Sequence, residues 1–427
     1  MPTHSRLRVL FVIGTMSGGG AERQVIEILK RLDRTRFEPL LYLAMKQGEL
    51  LGEVPSDVPI FAFWNESPET WPRRILRWLK LTRLARYVQL ARVLHRERID
   101  VVYDRTYLAT LDAAGGCWLR PTPRVSCCVV DPEPELILHS RWSRALSWWF
   151  ARRAYLSASV VLANSEGLRQ RVLEYFRLEE DHVKTFYNLL TDARNAEPTG
   201  QSDDAKGTTA GYHHEINNEE QTVKSPNGAV PTSVGATEEP FLIVTAGRLH
   251  AQKGHRFLLE AIDELVHRRG RSLQLVVMGQ GELEAELRNF VQNRRLESNV
   301  AFAGFVAEPQ TWYRRADLFV LPSLYEGMPN ALIEAVACGT PVLATDCPSG
   351  PSEILDGGRC GRLVPPGDAM SLADAIAEAL DDRDEGRSRA EVARQRVLRL
   401  FDPLIGIRRI ESLLQQISRR EPSVDPS

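Results

Sequence analysis

Two apolar spacings alternate along the chain. LRVLFVIGTM, residues 7–16, is a near-continuous apolar run of the kind a strand shows when both of its faces are covered. After a glycine run, AERQVIEILKRL sets Val25, Ile28, Leu29 and Leu32 on one helical stripe. FEPLLYLAM reads as a second strand, and RIDVVYDRTY, RVSCCVV and ASVVLANSE are later short apolar runs separated by helix-like segments. The alternation stops near Asp192 and restarts at FLIVTAGRL, which is followed by a helix around Phe257 to Arg268. LQLVVMGQG then precedes a helix from about Glu282, and VAFAGF, ADLFVLPS and TPVLATD are further strands. Short buried strands alternating with helices predict an α/β fold with two doubly wound, Rossmann-like parallel sheets and a cleft between them. Ligands in such sheets bind beyond the carboxyl ends of the strands, so the loops after each strand are where chemistry is expected.

The interruption has its own composition. Residues 196–239 hold eight acidic residues and two lysines, no Leu, Phe or Trp, and many Gly, Ser, Thr, Asn and Pro. Too little apolar surface is available there to offset the entropy of ordering, which predicts a disordered acidic linker. His213 and His214 within it have no further ligand at a metal-binding spacing. The expected domains are 1–192, a linker at 193–240, a second domain at 241–398, and a C-terminal helix at 399–427 returning to the first domain.

Composition narrows the class. The length of 427 residues exceeds one ordinary core, and 43% hydrophobic with 26% charged residues is globular. A formal charge of −2 gives no reason to expect a nucleic-acid partner. The six cysteines form neither a C-x-x-C pair nor a zinc spacing, which fits a reducing, cytoplasmic setting. The apolar run Val9 to Ile13 is strand length and leads into glycines, so it does not read as a signal peptide.

Four loops carry candidate chemistry. Gly18-Gly19-Gly20 lies between the first strand and the first helix, where backbone amides and a helix N-terminus can approach a phosphate; a tight strand-to-helix turn would look the same. The run does not match G-x-G-x-x-G and no acid ends the second strand near Leu43, so a dinucleotide fingerprint is poor. GRLHAQKGH places Arg248 and Lys253 around one loop, a fork and a point charge suited to a diphosphate, or simply two surface cations. In VVMGQGELEAEL, Gly279 and Gly281 end a strand and Glu282 opens a helix, which reads equally as a turn or as a nucleotide-facing loop. In LYEGMPNALIEAVACG, Glu326 precedes a turn and Glu334 lies about one turn inside the following helix, so both can face one cleft on either side of a helix N-terminus.

Together these motifs resemble the retaining GT-B glycosyltransferases of family 4. The matching stretches are GGGAER, GRLHAQKG, GQGEL, AGF, ADLFVLPSLYEGMPNALIEAVACGTPVLATD with its E-x7-E, GRLVPPGD, and VLANSEGLRQRV followed by FYNLL. The resemblance implies that Arg248 and Lys253 hold the diphosphate of a nucleotide sugar, that Glu334 binds the ribose, and that Glu326 contacts the donor sugar. It further implies a cradle from Gly327, Met328, Asn330, Ala331 and Leu332, donor contacts from the Gly279, Gly281, Glu282, Gly304 and Phe305 loops, and closure by Gly18 to Gly20. Such enzymes need no metal and no cofactor, the nucleotide sugar being a substrate; cations and helix dipoles neutralise the leaving diphosphate, and no dedicated nucleophile is expected.

One departure concerns the loop after RVSCCVV, where many relatives carry a histidine. Here it reads Asp131-Pro132-Glu133-Pro134-Glu135, which makes Asp131 either an acceptor-side contact or a turn residue. From Trp71 to Arg98 stand eight arginines and one lysine against Glu97, with basic and apolar faces segregated over Arg73 to Lys80. HSRWSRALSWWFARRAY adds four arginines, three tryptophans and no acid. Both suit an anionic membrane surface, and also ordinary packed helices with a basic face. The expectation is a peripheral protein on the inner face of the plasma membrane. It would move a hexose or N-acetylhexosamine, from a UDP-sugar in preference to GDP-mannose, to a lipid-linked or other glycan acceptor in capsule, O-antigen, lipopolysaccharide or lipid-linked oligosaccharide assembly. A nucleotide-sugar epimerase or hydrolase on the same fold is the competing class.

Overall fold

The computed structural model describes residues 6–64, 81–133, 141–191 and 240–418. The linker at 193–239 and the basic face at Arg73 to Lys80 lie outside the described residues.

Two parallel sheets account for the apolar runs. The first has seven strands in the order β3-β2-β1-β4-β5-β6-β7: β1 (Leu7–Ile13), β2 (Phe37–Met45), β3 (Ile60–Trp64), β4 (Val101–Arg105), β5 (Arg124–Cys128), β6 (Val160–Ala163) and β7 (Val183–Thr185). The second has six, in the order β10-β9-β8-β11-β12-β13: β8 (Phe241–Ala246), β9 (Leu273–Met278), β10 (Val300–Gly304), β11 (Leu318–Leu321), β12 (Val342–Thr345) and β13 (Arg362–Val364). The inner strands bury side chains on both faces, as β4, β9 and β11 do at every position, because helices cover both sides of each sheet. The short strands β3, β7 and β13 had no separate sequence signal, being brief and placed toward the sheet edges.

Strand order reverses between β1 and β4 in one sheet and between β8 and β11 in the other. Those switch points open a crevice at the carboxyl edge of each sheet. The glycine loop follows β1 and Arg105 ends β4; the Arg248–Lys253 loop follows β8 and the Glu326 loop follows β11. The helix expected to run to Arg268 is α-helical from His255 to Asp263 and continues as a π-turn to Arg268.

The C-terminal helix (Pro403–Ser418) returns to the first sheet. Ile407, Ile410, Leu414 and Ile417 join the core of β1 and the Gly20–Arg31 helix, and Glu411 accepts from the Asp33 amide at 2.9 Å and from Arg36 at 3.1 Å. Among the described residues no helix is long and apolar enough to cross a membrane.

Candidate active site

On the second sheet, the loop after β8 and the loop after β11 are locked together before any side chain reaches the cleft. Gly254 has φ +62°, and a Cβ there would stand 2.0 Å from the Pro322 carbonyl oxygen, so only glycine lets the two backbones pass. The Leu324 amide donates to the Gln252 carbonyl at 2.8 Å, and Gln252 Nε2 donates to the Tyr325 carbonyl at 2.9 Å. Lys253 Nζ thereby meets Glu326 Oε1 at 2.5 Å, and Ser323 Oγ donates to the same oxygen at 2.7 Å. Ser349 Oγ fixes the Glu326 carbonyl at 3.0 Å. The pair is 18% and 6% exposed at its side chains, so it sits at the wall of the crevice rather than in bulk water. Arg248 is exposed.

The helix Asn330–Ala337 begins right after Pro329, whose extended backbone caps it. Glu334, one turn in, accepts from Thr191 Oγ1 at 3.0 Å. Burial, reinforced by the Glu334 carboxylate, pushes the Tyr313 phenol well above its ordinary range. Leu332 is a core residue whose amide is held by the Pro329 carbonyl at 3.2 Å, whereas Asn330 and Ala331 are half-buried at the helix start.

The first sheet supplies the opposite wall. Gly18 has φ +77°, and its missing Cβ leaves room for Phe305, whose Cε2 would be 3.5 Å away. Arg23 lies 5.9 Å from the centroid of the Phe305 ring, so Phe305 is gripped from the first domain although it follows β10. Asn330 Nδ2 donates to the Gly20 carbonyl at 3.2 Å. A Cβ on Gly327 would stand 2.0 Å from the Val129 carbonyl, so the Glu326 loop also abuts the first sheet. The Gly18–Gly20, Gly304–Phe305 and Glu326–Glu334 segments are thus brought together.

Not every sequence candidate faces the cleft. Gly279 (φ +134°) and Gly281 have packing roles, since added Cβ atoms would strike the Gly247 and Leu249 carbonyl oxygens at 1.9 and 2.4 Å. The Glu282 side chain is 69% exposed, 3.5 Å from His250 Nε2. Asp131 is buried; one oxygen accepts from the Glu133 amide and the other from Arg171, both at 3.0 Å. The bond to the Glu133 amide is that of a turn residue. Among the described residues no cluster of His, Cys, Asp and Glu could hold a metal ion.

Sequence reasoning passed over Glu22, Arg105, Asn188 and Thr191. Glu22 follows the glycine loop; burial raises its carboxyl above the ordinary range, against the pull of its own amide, Arg248 and Arg105. Its place in GGGAER was visible, but nothing in the motif said that it faces Arg248. The other three carry no local pattern that marks them as functional.

Paired switch-point crevices, with cations on one wall and a glycine loop on the other, define a two-domain transferase of the GT-B type. Anabaena HepE in complex with UDP-glucose has the same fold: TM-score 0.73 at 21% identity, covering 96% of this chain and 100% of that one. Residues 18–194 match the family described as Glycosyltransferase Family 4, and residues 240–382 match Glycosyl transferases group 1. The chain belongs to that glycosyltransferase family. It is 25% identical over 372 residues, 87% of this chain and 89% of the other, to the N-acetylgalactosamine-N,N'-diacetylbacillosaminyl-diphospho-undecaprenol 4-alpha-N-acetylgalactosaminyltransferase of Campylobacter jejuni. It is 31% identical to the amylovoran biosynthesis glycosyltransferase AmsK of Erwinia amylovora, over 43% of this chain and 46% of that one, so that match spans about half of each protein.

Proposed function

We propose that this glycosyltransferase moves a hexose or N-acetylhexosamine from a UDP-sugar to a lipid-linked glycan acceptor in cell-surface polysaccharide or glycolipid assembly, with retention of configuration and without a metal. The observation that carries the reading is the Lys253–Glu326 pair at 2.5 Å, held at one switch point opposite the glycine loop of the other. Arg248 and Lys253 take the diphosphate, and Glu334 takes the ribose hydroxyls in place of Thr191. Glu326, braced by Lys253 and Ser323, orients a donor-sugar hydroxyl with its second oxygen. In transfer the C1–O bond to the diphosphate breaks, the acceptor oxygen bonds C1 on the same face, and its proton passes to the leaving phosphate oxygen. The cations carry the charge that develops there. The Campylobacter relative's undecaprenol-diphosphate acceptor and HepE's UDP-glucose support the lipid-linked acceptor and the UDP donor.

The acceptor side offers a membrane face. On the helix Arg141–Leu156, Leu146 and Trp149 are 58% and 50% exposed, and Arg153 lies 5.8 Å from the Trp118 ring and 5.9 Å from the Trp149 ring. Trp148 instead turns inward and donates to the Tyr175 carbonyl at 2.9 Å. An exposed Trp–Arg–Trp stack beside apolar side chains suits an anionic headgroup layer.

The test is transfer in the presence of EDTA from UDP- and GDP-sugars to a polyprenyl-diphosphate glycan, with the product anomer assigned by NMR. Retained configuration and UDP preference are expected. An inverted product, release of free sugar without acceptor, or loss of transfer with EDTA would overturn the corresponding part. Co-sedimentation with phosphatidylglycerol vesicles, abolished by Trp149→Glu, is the expected membrane result; equal binding of the variant would overturn it.

A further inference from the structure

Arg105 is a buried cation whose hydrogen bonds all go to neutral groups. It is 1% exposed, and its guanidinium donates to Tyr103 Oη at 3.2 Å, Cys127 Sγ at 3.5 Å and Asn188 Oδ1 at 2.6 Å, while Nε has no partner among the described residues. Burying a guanidinium without a carboxylate in contact is costly, so its retention calls for a reason beyond packing. Arg124, at the start of the next strand, has the usual solution, a fully buried ion pair with Asp104 at 2.9 Å.

From Arg105 the bonds run across the domain boundary in one direction. A guanidinium can only donate, so Asn188 must present its oxygen to Arg105 and its NH2 outward. That NH2 donates to Asn330 Oδ1 at 2.6 Å and to the Met328 carbonyl at 3.3 Å. Asn330 must then turn its own NH2 to the Gly20 carbonyl, which can only accept. A donor-only group at one end and an acceptor-only group at the other leave a single satisfied orientation for both amides. Asn188 is 3% exposed, so water does not substitute. Gln24 reinforces the same segment, donating to the Leu189 carbonyl at 2.7 Å and accepting from its amide at 2.6 Å.

We propose that Arg105 and Asn188 are positioning residues: they set the polarity of an amide relay that holds the glycine loop of the first domain against the start of the donor helix of the second. The effect on transfer rests on the function proposed above; the relay itself does not. Neither residue hydrogen-bonds Arg248, Lys253, Glu326 or Glu334; they act through the cradle residues Asn330 and Met328 and through Gly20.

Asn188→Asp separates polarity from packing. The variant keeps the size and gives Arg105 a carboxylate, so folding is preserved, but it cannot donate to Asn330 or Met328. Spin labels at the exposed positions Arg92 and Glu286, one on each domain, report the interdomain distance, with Cys117 and Cys338 replaced by Ser. Wild type is expected to give a narrow distribution. Asn188→Asp is expected to broaden it and shift its mean by several ångströms at an unchanged or higher Tm, and Asn330→Asp, which loses only the Gly20 bond, to broaden it less. UDP binding is expected to stay within about threefold of wild type in Asn188→Asp, as that change removes no cation. A wild-type distance distribution in Asn188→Asp would overturn the proposal, because a packing role tolerates that substitution. Were Asn188→Asp to unfold, a wild-type distribution in Asn330→Asp would overturn it equally. Because the distance is read without donor or acceptor, failure of the transfer reaction leaves this result standing.

Discussion

At the second switch point a lysine and a glutamate meet at the cleft wall; at the first, the charged side chains lie beneath it. Lys253 and Glu326 keep 18% and 6% of their side-chain surface, whereas Arg124 and Asp104 keep 1% and 0%. Asp104 also accepts from Thr110 and Ser126, both at 2.6 Å. The two walls differ: one holds a charged pair at the cleft, and the other uses buried charge and amides to hold backbone in place. A charge at a strand end is therefore a poor guide to chemistry until its exposure is known.

Opening the buried pair is expected to have the largest effect. Asp104→Ala leaves Arg124 uncompensated and is expected to cost about 3–5 kcal/mol of stability in chemical denaturation. A loss under about 1 kcal/mol would show that this wall is not held by its ion pair. Glu326→Ala is expected to lower kcat about 10²–10³-fold at near-native stability, with Lys253→Ala and Arg248→Ala acting chiefly on donor binding, as measured by UDP titration. Wild-type kinetics in all three variants would remove the cleft wall's role.

Most of the framework was legible because it is repeated locally. Each inner strand announces itself by a run of apolar residues, FEPLLYLAM at Phe37–Met45 with the same bounds in the structure. The placement of the second sheet's candidates was legible because Arg248, Lys253 and Glu326 sit in loops, and Glu334 in the helix that follows, with glycines and a proline marking the turns. The first wall was not. Asn188 and Arg105 are 83 positions apart, and their pairing exists only once β4 and the segment after β7 are neighbours. Asp131 shows the same limit: sequence left it as an acceptor-side contact or a turn residue, and only the fold brings Arg171, 40 residues later, against its carboxylate.

The two domains should also part company with pH. In the first, burial lifts the Asp112 carboxyl from 3.8 to about 6, although Arg86 stands 2.9 Å away, because desolvation outweighs that pair. In the second, burial, helped by Lys253, lowers His255 from 6.5 to about 4. A raised carboxyl adds stability that is full below its unfolded pKa and is lost as pH rises through about 6. A depressed histidine adds stability that is present above its unfolded pKa of 6.5 and is lost as pH falls toward about 4. Each amounts to on the order of 3 kcal/mol. Hydrogen exchange between pH 4.5 and 7 should therefore show the first domain's protection falling with rising pH and the second domain's rising. Asp112→Asn should flatten the first trend and His255→Gln the second; parallel trends in both domains would refute the assignment.

The smallest effect tests whether the walls are electrically separate. Glu22, on the first wall, interacts electrostatically with Arg248 on the second, and its desolvation already disfavours its charged form. A diphosphate arriving at Arg248 would meet that carboxylate across the cleft. Glu22→Gln keeps the shape of the loop, where Gly19 leaves room for the side chain to fold back. It removes the competing charge and is expected to tighten UDP about two- to fivefold, an effect screened by salt. Weaker UDP binding in the variant would mean that Glu22 orients Arg248 instead of competing for it, and the first wall would then share in donor recognition.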